Sequence, residues 1–299
     1  MTFNKGARLD PSRIQRRGRA AGAGGMAVGG GIMGIVLLLL GAYLGVDLTG
    51  FSGASDGSNV VQADPEKQAD YEEKCQTGAD ANEFAECRVG GAINSLDEYW
   101  ESAAPAIGAD FNYPDVIIFD DVTSSACGTA SAQSGPFYCP GDESIYIDTS
   151  FFNFLVERFD SSDGPLAEIY VVAHEYGHHI QHELGVFAVA DRTQTGANSD
   201  TVDVELMADC LAGVWAHHAS TVADESGTPY LSRLTESDIK DALDAAAAVG
   251  DDRIQETIQG HSDPHTYTHG TSEQRQAAFL GGYTHGSPAL CDRFGVVER

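Results

Sequence analysis

The sequence predicts an α+β protein, rich in helix with a small sheet, set behind one N-terminal membrane-spanning helix. Three observations predict this class. Residues 166–184 place Leu166, Ile169, Tyr170, Ala173, Tyr176, Gly177, Ile180 and Leu184 on one helical stripe. Residues 116–119 form a short β-rich run, and residues 144–148 alternate as a strand does. Residues 26–46 contain no charged side chain and are long enough to span a hydrocarbon core as a helix.

Taken in chain order, residues 1–25 form a basic segment. Lys5, Arg8, Arg13, Arg16, Arg17 and Arg19 face only Asp10 there. A basic flank before an apolar span predicts a cytoplasmic N-terminus and an exported remainder. A cleaved signal peptide is the competing reading, but the apolar run is long and Asp47-Leu48-Thr49-Gly50 after it offers no small-x-small cleavage site. Residues 47–64 are rich in Gly, Ser and Asp and read as a flexible linker. The folded domain is expected over 65–299. Within it, 66–90 reads as helical around a cysteine-bounded turn, and 93–103 as another helix. The two strands flank a Gly/Ser/Pro-rich loop. Ser161-Ser162-Asp163-Gly164-Pro165 supplies capping residues and an early proline for the helix over 166–184, and Gly185 stops it. Further helices are expected over 202–218, 238–249 and 272–280.

Composition bounds function. Forty-two per cent hydrophobic residues suffice for a packed core, and 45 acids against 17 Lys and Arg give a formal charge of −28. Such an excess repels phosphate and excludes nucleic acid as a partner. All 6 cysteines, Cys75, Cys87, Cys127, Cys139, Cys210 and Cys291, follow the apolar run, none with C-x-x-C spacing. An even count in an exported region predicts disulfides, for which fifteen pairings exist. Two local pairs, Cys75 with Cys87 and Cys127 with Cys139, would close short loops and leave Cys210 for Cys291. The spacing leaves the connectivity open.

The chemistry is carried by His174-Glu175-Tyr176-Gly177-His178. Positions i and i+4 share a helix face, so both imidazoles can reach one metal ion. Glu175, beside the first of them, can hold a water and take its proton. The neighbours His179 and His182 lack a matching glutamate and are expected on the solvent side or behind the site. A third ligand is expected at Glu205, in Glu205-Leu206-Met207-Ala208-Asp209. Asp209 lies one turn further on the same face, where it can accept a hydrogen bond from the outer nitrogen of a ligand histidine. Two imidazoles favour zinc over calcium or magnesium. Two histidines and a carboxylate would also suit iron, but Glu175 has no role there and tips the reading to one zinc ion.

These residues resemble known families. His174-Glu175-x-x-His178 with Glu205-x-x-x-Asp209 is similar to the gluzincin pattern of thermolysin-like peptidases. With Ala208-Asp209-Cys210-x-Ala212-Gly213-Val214-Trp215, His269-Gly270-Thr271-Ser272-Glu273-Gln274-Arg275, the 127–140 segment and the glycine-rich single span, the chain more closely resembles the bacterial putative neutral zinc metallopeptidase family over roughly 66–295. The resemblance implies a zincin-like fold and peptide-bond hydrolysis, without a known substrate. Glu205 lies further along the chain than in the thermolysin pattern, so no substrate-clamping residue carries over by spacing.

The expected chemistry is hydrolysis of a peptide or protein. Zinc would polarise the scissile carbonyl, and Glu175 would take a proton from water and return it to the leaving amine. His269, before a helix start, is the candidate for stabilising the oxyanion, with Tyr267 next. Glu273 and Arg275 are expected to form a structural ion pair. His261, His265 and His269 recur every four residues, yet Gly260, Pro264 and Gly270 argue against one helix. A non-catalytic, metal-stabilised binding module displayed outside the membrane is the alternative, and the presence of Glu175 speaks against it. Lipid, met through residues 26–46, is the other expected partner.

Overall fold

A computed structural model describes residues 2–18, 64–131 and 134–297. The apolar run 26–46, and the linker up to residue 63, lie outside the described residues. Among the described residues no helix is long and apolar enough to cross a membrane.

The fold is α+β, helix-rich, with small sheets. β1 (Ile14–Arg17) comes first, followed after the undescribed stretch by α1 (Pro65–Lys74), α2 (Gly78–Glu83) and α3 (Ala85–Ala103). Then come β2 (Asp115–Phe119), β3 (Val122–Ser125), β4 (Gly128–Ser131), β5 (Phe137–Cys139) and β6 (Ser144–Ile147). The remaining elements are α4 (Ser150–Phe159), α5 (Pro165–Glu183), the short α6 (Val186–Val189), α7 (Asp200–His218), α8 (Glu236–Ala248), α9 (Asp251–Gln259) and α10 (Ser272–His285).

The main sheet has the order β1-β2-β6-β5, parallel except for the antiparallel edge strand β5. Alternation along β2 sends Val116 and Ile118 to the main core, and Ile117 and Phe119 to a smaller core with Ala130, Phe137 and Tyr146. Ala130 belongs to β4, so the β3–β4 hairpin covers that second face. A strand covered on both faces reads as a continuous apolar run, which is why 116–119 was legible in the sequence.

The region expected as helix, turn and helix over 66–103 is three helices, and α3 runs unbroken from Ala85 through the stretch expected to separate two helices. β1, β3, β4, β5, α4 and α9 lay outside the sequence reading. Residues 2–18, expected as a basic segment apart from the domain, pack within it: Phe3, Ala7, Leu9 and Ile14 join the main core. The cations that suggested a membrane flank are used in the fold, Arg13 against Asp97 and Arg16 against Asp120 and Glu86.

α5 is more deeply buried than one apolar stripe implies. It packs against α3, α7 and α8, and Val171 and Val172 are buried beside the stripe residues. A helix enclosed by neighbours must be apolar nearly all round, and its polar side chains must find partners. Three disulfides join Cys75 to Cys87, Cys127 to Cys139 and Cys210 to Cys291. The last ties α7 to the C-terminal tail.

Candidate metal centre

α5 and α7 approach closely because Gly177 lacks a side chain. A Cβ there would stand 2.9 Å from the Ala208 carbonyl oxygen. The close crossing brings His174 and His178 of α5 to Glu205 of α7. One ligand atom from each of the three lies within 4.8 Å of the others, so they could hold a metal ion. The histidine Nε2 atoms converge on the two oxygens of one carboxylate: His174 on Oε2 at 3.2 Å and His178 on Oε1 at 3.5 Å.

The outer nitrogens are fixed. His174 Nδ1 donates to Asp209 Oδ1 at 2.8 Å. His178 Nδ1 donates to Gln181 Oε1 at 2.8 Å, and the Gln181 amide donates to the Val204 carbonyl at 2.6 Å. Each bond fixes Nδ1 as the donor to its outer partner and turns Nε2 toward the shared carboxylate. Two imidazoles with Nε2 turned inward and one carboxylate, converging on one point, are a donor set that fits zinc.

Asp209 is fully buried and heavily used. Besides His174 it accepts from the Tyr170 hydroxyl, and Arg275 of α10 grips it with Nε–Oδ2 at 2.8 Å and Nη2–Oδ1 at 2.9 Å. Arg275 therefore pairs with Asp209, not with its sequence neighbour Glu273. Arg275 is only 2% exposed, and a buried cation needs a buried anion. α10 can come that near because Gly213 of α7 leaves room: a Cβ there would lie 2.0 Å from the Phe279 carbonyl oxygen.

The electrostatics follow from this crowding. Burial works against an ionised Asp209, but Arg275 and His174 outweigh it and hold its pKa below the usual range. Burial would likewise raise the pKa of Glu205, yet His178, His269 and His174 drive it well down. Burial lowers the pKa of His174, while Asp209 more than compensates and pushes it up to about 9. Glu175 is 8% exposed and forms no hydrogen bond or ion pair among the described residues. It is the one carboxylate of the group left uncommitted.

His269 lies near enough to Glu205 for each to shift the other's pKa. Its loop is held by Asp251, whose Oδ2 accepts the backbone N–H groups of Thr268, His269 and Gly270 at 2.8, 2.6 and 2.9 Å. The other oxygen, Oδ1, stands 3.5 Å from His269 Nδ1. Tyr267 is buried, and its hydroxyl is bonded to Ser262. His261 and His265 are exposed, so the three regularly spaced histidines share no face.

Of the two expectations for the neighbours of the motif, His179 meets the one that puts it behind the site, while His182 is half-buried. His179 is fully buried; its Nε2 donates to the Asn112 carbonyl at 2.6 Å, and its Nδ1 lies 3.2 Å from the Tyr138 hydroxyl, which also meets His182 Nδ1 at 2.7 Å. Burial drops the His179 pKa to about 4, so the ring is neutral. This chain of bonds fastens β5 to α5. Sequence reasoning missed Tyr170, Gln181, Asp251 and Arg275. Gln181 sits three residues after His178 and Tyr170 four before His174, spacings that could have exposed both; Asp251 and Arg275 are far from the motif in sequence, and nothing local tied them to His269 and Asp209.

Comparison with known proteins fits this geometry. The family described as "Putative neutral zinc metallopeptidase" matches residues 4–294. The chain belongs to that family. An uncharacterized protein of Mycobacterium tuberculosis is 51% identical over 226 residues, covering 75% of this chain and 76% of the relative. An uncharacterized protein of Mycobacterium bovis matches to the same extent. An uncharacterized protein of Escherichia coli is 34% identical over 271 residues, covering 89% of this chain and 87% of its own length. No solved structure matches the chain. The neutral zinc metallopeptidase match begins at residue 4, ahead of β1, so it takes in the N-terminal segment as well as the metal centre.

Proposed function

We propose that the protein is a zinc-dependent peptidase with a zincin-like catalytic domain. The observation that carries this reading is the convergence of two oriented imidazoles on Glu205, with the uncommitted Glu175 next to the first of them. His174, His178 and Glu205 would hold one zinc ion. When bound, zinc supplies Lewis acidity, which polarises a carbonyl and lowers the pKa of water towards about 7.

The chain's own groups do the rest. Asp209 and Gln181 keep the two imidazoles oriented. Glu175, free of other partners, takes a proton from the attacking water and delivers it to the leaving amine. His269, steadied by Asp251, donates to the oxyanion that develops on the substrate. The substrate class is a peptide or protein, and the formal net charge of −28 argues against nucleic acid. Disulfides and the charge-free run 26–46 support a membrane-attached protein whose domain works outside the cytoplasm.

The test is hydrolysis of unfolded casein with zinc content measured in parallel. The Glu175→Gln protein is expected to keep a full equivalent of zinc and lose at least about 10²-fold in rate. Wild-type turnover in that variant removes Glu175 from the chemistry. Full zinc without hydrolysis in the unaltered protein turns the reading to a metal-stabilised binding module.

A further inference from the structure

Residues 2–18 are built into the same body as the metal centre. β1 runs parallel to β2, with Ile14 opposite Val116 and Arg17 opposite Phe119. Upstream, Phe3 bridges to Leu231 and Arg8 to Thr77, and the Asn4 N–H donates to the Tyr230 carbonyl at 2.9 Å. Arg13 Nε bonds Asp97 Oδ2 at 2.6 Å, and Asp97 Oδ1 accepts from the Tyr176 hydroxyl at 2.8 Å. Tyr176 stands within the metal-binding motif, so the N-terminal segment is two hydrogen bonds from the helix that carries His174 and His178.

The two ends of the stretch between Gly18 and Asp64 meet. The Asp64 N–H donates to the Arg16 carbonyl at 3.0 Å, and Gln68, one turn into α1, accepts the Arg16 N–H at 2.8 Å. The chain leaves the domain and re-enters it at one place. A single crossing would instead put those ends on opposite sides of about 30 Å of hydrocarbon. No backbone ladder can form across that distance.

We infer that residues 2–18 lie on the same side of any membrane as the metal-binding domain, whatever chemistry the centre performs. An assembled domain and a single crossing by residues 26–46 exclude one another. This departs from the topology that the basic flank suggests, and the fold supplies the reason. Arg13 and Arg16 are placed where they neutralise Asp97, Asp120 and Glu86, so their charge serves the domain rather than retention in the cytoplasm. The three disulfides indicate that the shared side is the oxidising one.

Paired labelling of the full chain tests the inference. Lys5 is exposed and makes no hydrogen bond among the described residues, and the Lys240 side chain is 76% exposed on α8. Lys5→Cys and Lys240→Cys, made separately, are treated in protoplasts with a membrane-impermeant maleimide before and after detergent lysis. The two positions are expected to label to the same extent before lysis. Labelling of Lys240→Cys in intact protoplasts with Lys5→Cys reacting only after lysis overturns the inference. Labelling of both only after lysis upholds the shared side while moving the domain into the cytoplasm. An epitope ahead of Met1, compared with one after Arg299 by antibody binding to protoplasts, gives the same reading should an added thiol be lost to disulfide exchange.

Discussion

The two histidines of the metal centre are one helical turn apart, yet they are braced in different ways. His174 leans on Asp209, an ionised carboxylate buried with Arg275 and Tyr170 around it. His178 leans on Gln181, a neutral amide whose other end is spent on a backbone carbonyl. The first brace joins three helices, α5, α7 and α10. The second joins only α5 and α7. An anionic partner raises the basicity of a ligating imidazole, whereas a neutral one mainly fixes its orientation. Arg275 tempers the first effect by drawing on the same carboxylate. The difference predicts that the His174 side governs both metal affinity and stability, and the His178 side mainly geometry.

The largest effect should come from the group both histidines face. Glu205→Ala leaves two imidazoles, too few to hold zinc against a chelator, so the variant should emerge from mild chelation without metal but folded by circular dichroism. A folded Glu205→Ala protein retaining a full equivalent of zinc would move the third ligand elsewhere, with His269 the first place to look.

Asp209→Asn comes next and bears directly on the contrast. Zinc affinity should fall about 10–100-fold by competitive chelation, since all three ligands remain. Thermal unfolding of the metal-free protein should also show a loss of about 3–5 kcal/mol, because Arg275 stays buried without its counter-charge. A change in affinity with no change in stability would separate the two roles assigned to this side.

Gln181→Met should be the mildest. The orienting bond to His178 is lost, but no buried charge is stranded, so the fall in zinc affinity should be no more than about tenfold, at the low end for such partners. If Gln181→Met weakens zinc as much as Asp209→Asn does, the charge on the His174 side counts for little and the comparison fails.

Much of the centre was legible because helix periodicity acts over short range. The four-residue spacings of His174 with His178, and of Glu205 with Asp209, place each pair on one face whatever else the chain does. The apolar patterns of β2 and α5 and the three cysteine pairs were visible for similar reasons, although connectivity was not fixed by spacing. What escaped were partners drawn from far along the chain. Arg275 read as a structural ion pair with Glu273, because a neighbour in sequence is the only partner a sequence offers. His179 read as either a solvent-side group or one behind the site, and the sequence could not choose because the strand that buries it, β5, lay inside a stretch read as a loop.

The N-terminal segment marks the boundary most clearly. By itself the sequence determined a charge-free run behind basic residues, two helices that carry the candidate ligands, and an even set of cysteines. Each rests on local composition or helical spacing. Only the tertiary structure decided that Arg13 and Arg16 serve the domain, that β1 completes the sheet beside β2, and that Asp209 answers to Arg275 as well as to His174. Those are pairings between residues 60 or more positions apart, as in Arg275 with Asp209 at a separation of 66 and Arg13 with Asp97 at 84. Nothing local selects one such partner over another; the choice is made when burial of the shared core brings the charges together and removes the water that would otherwise satisfy them.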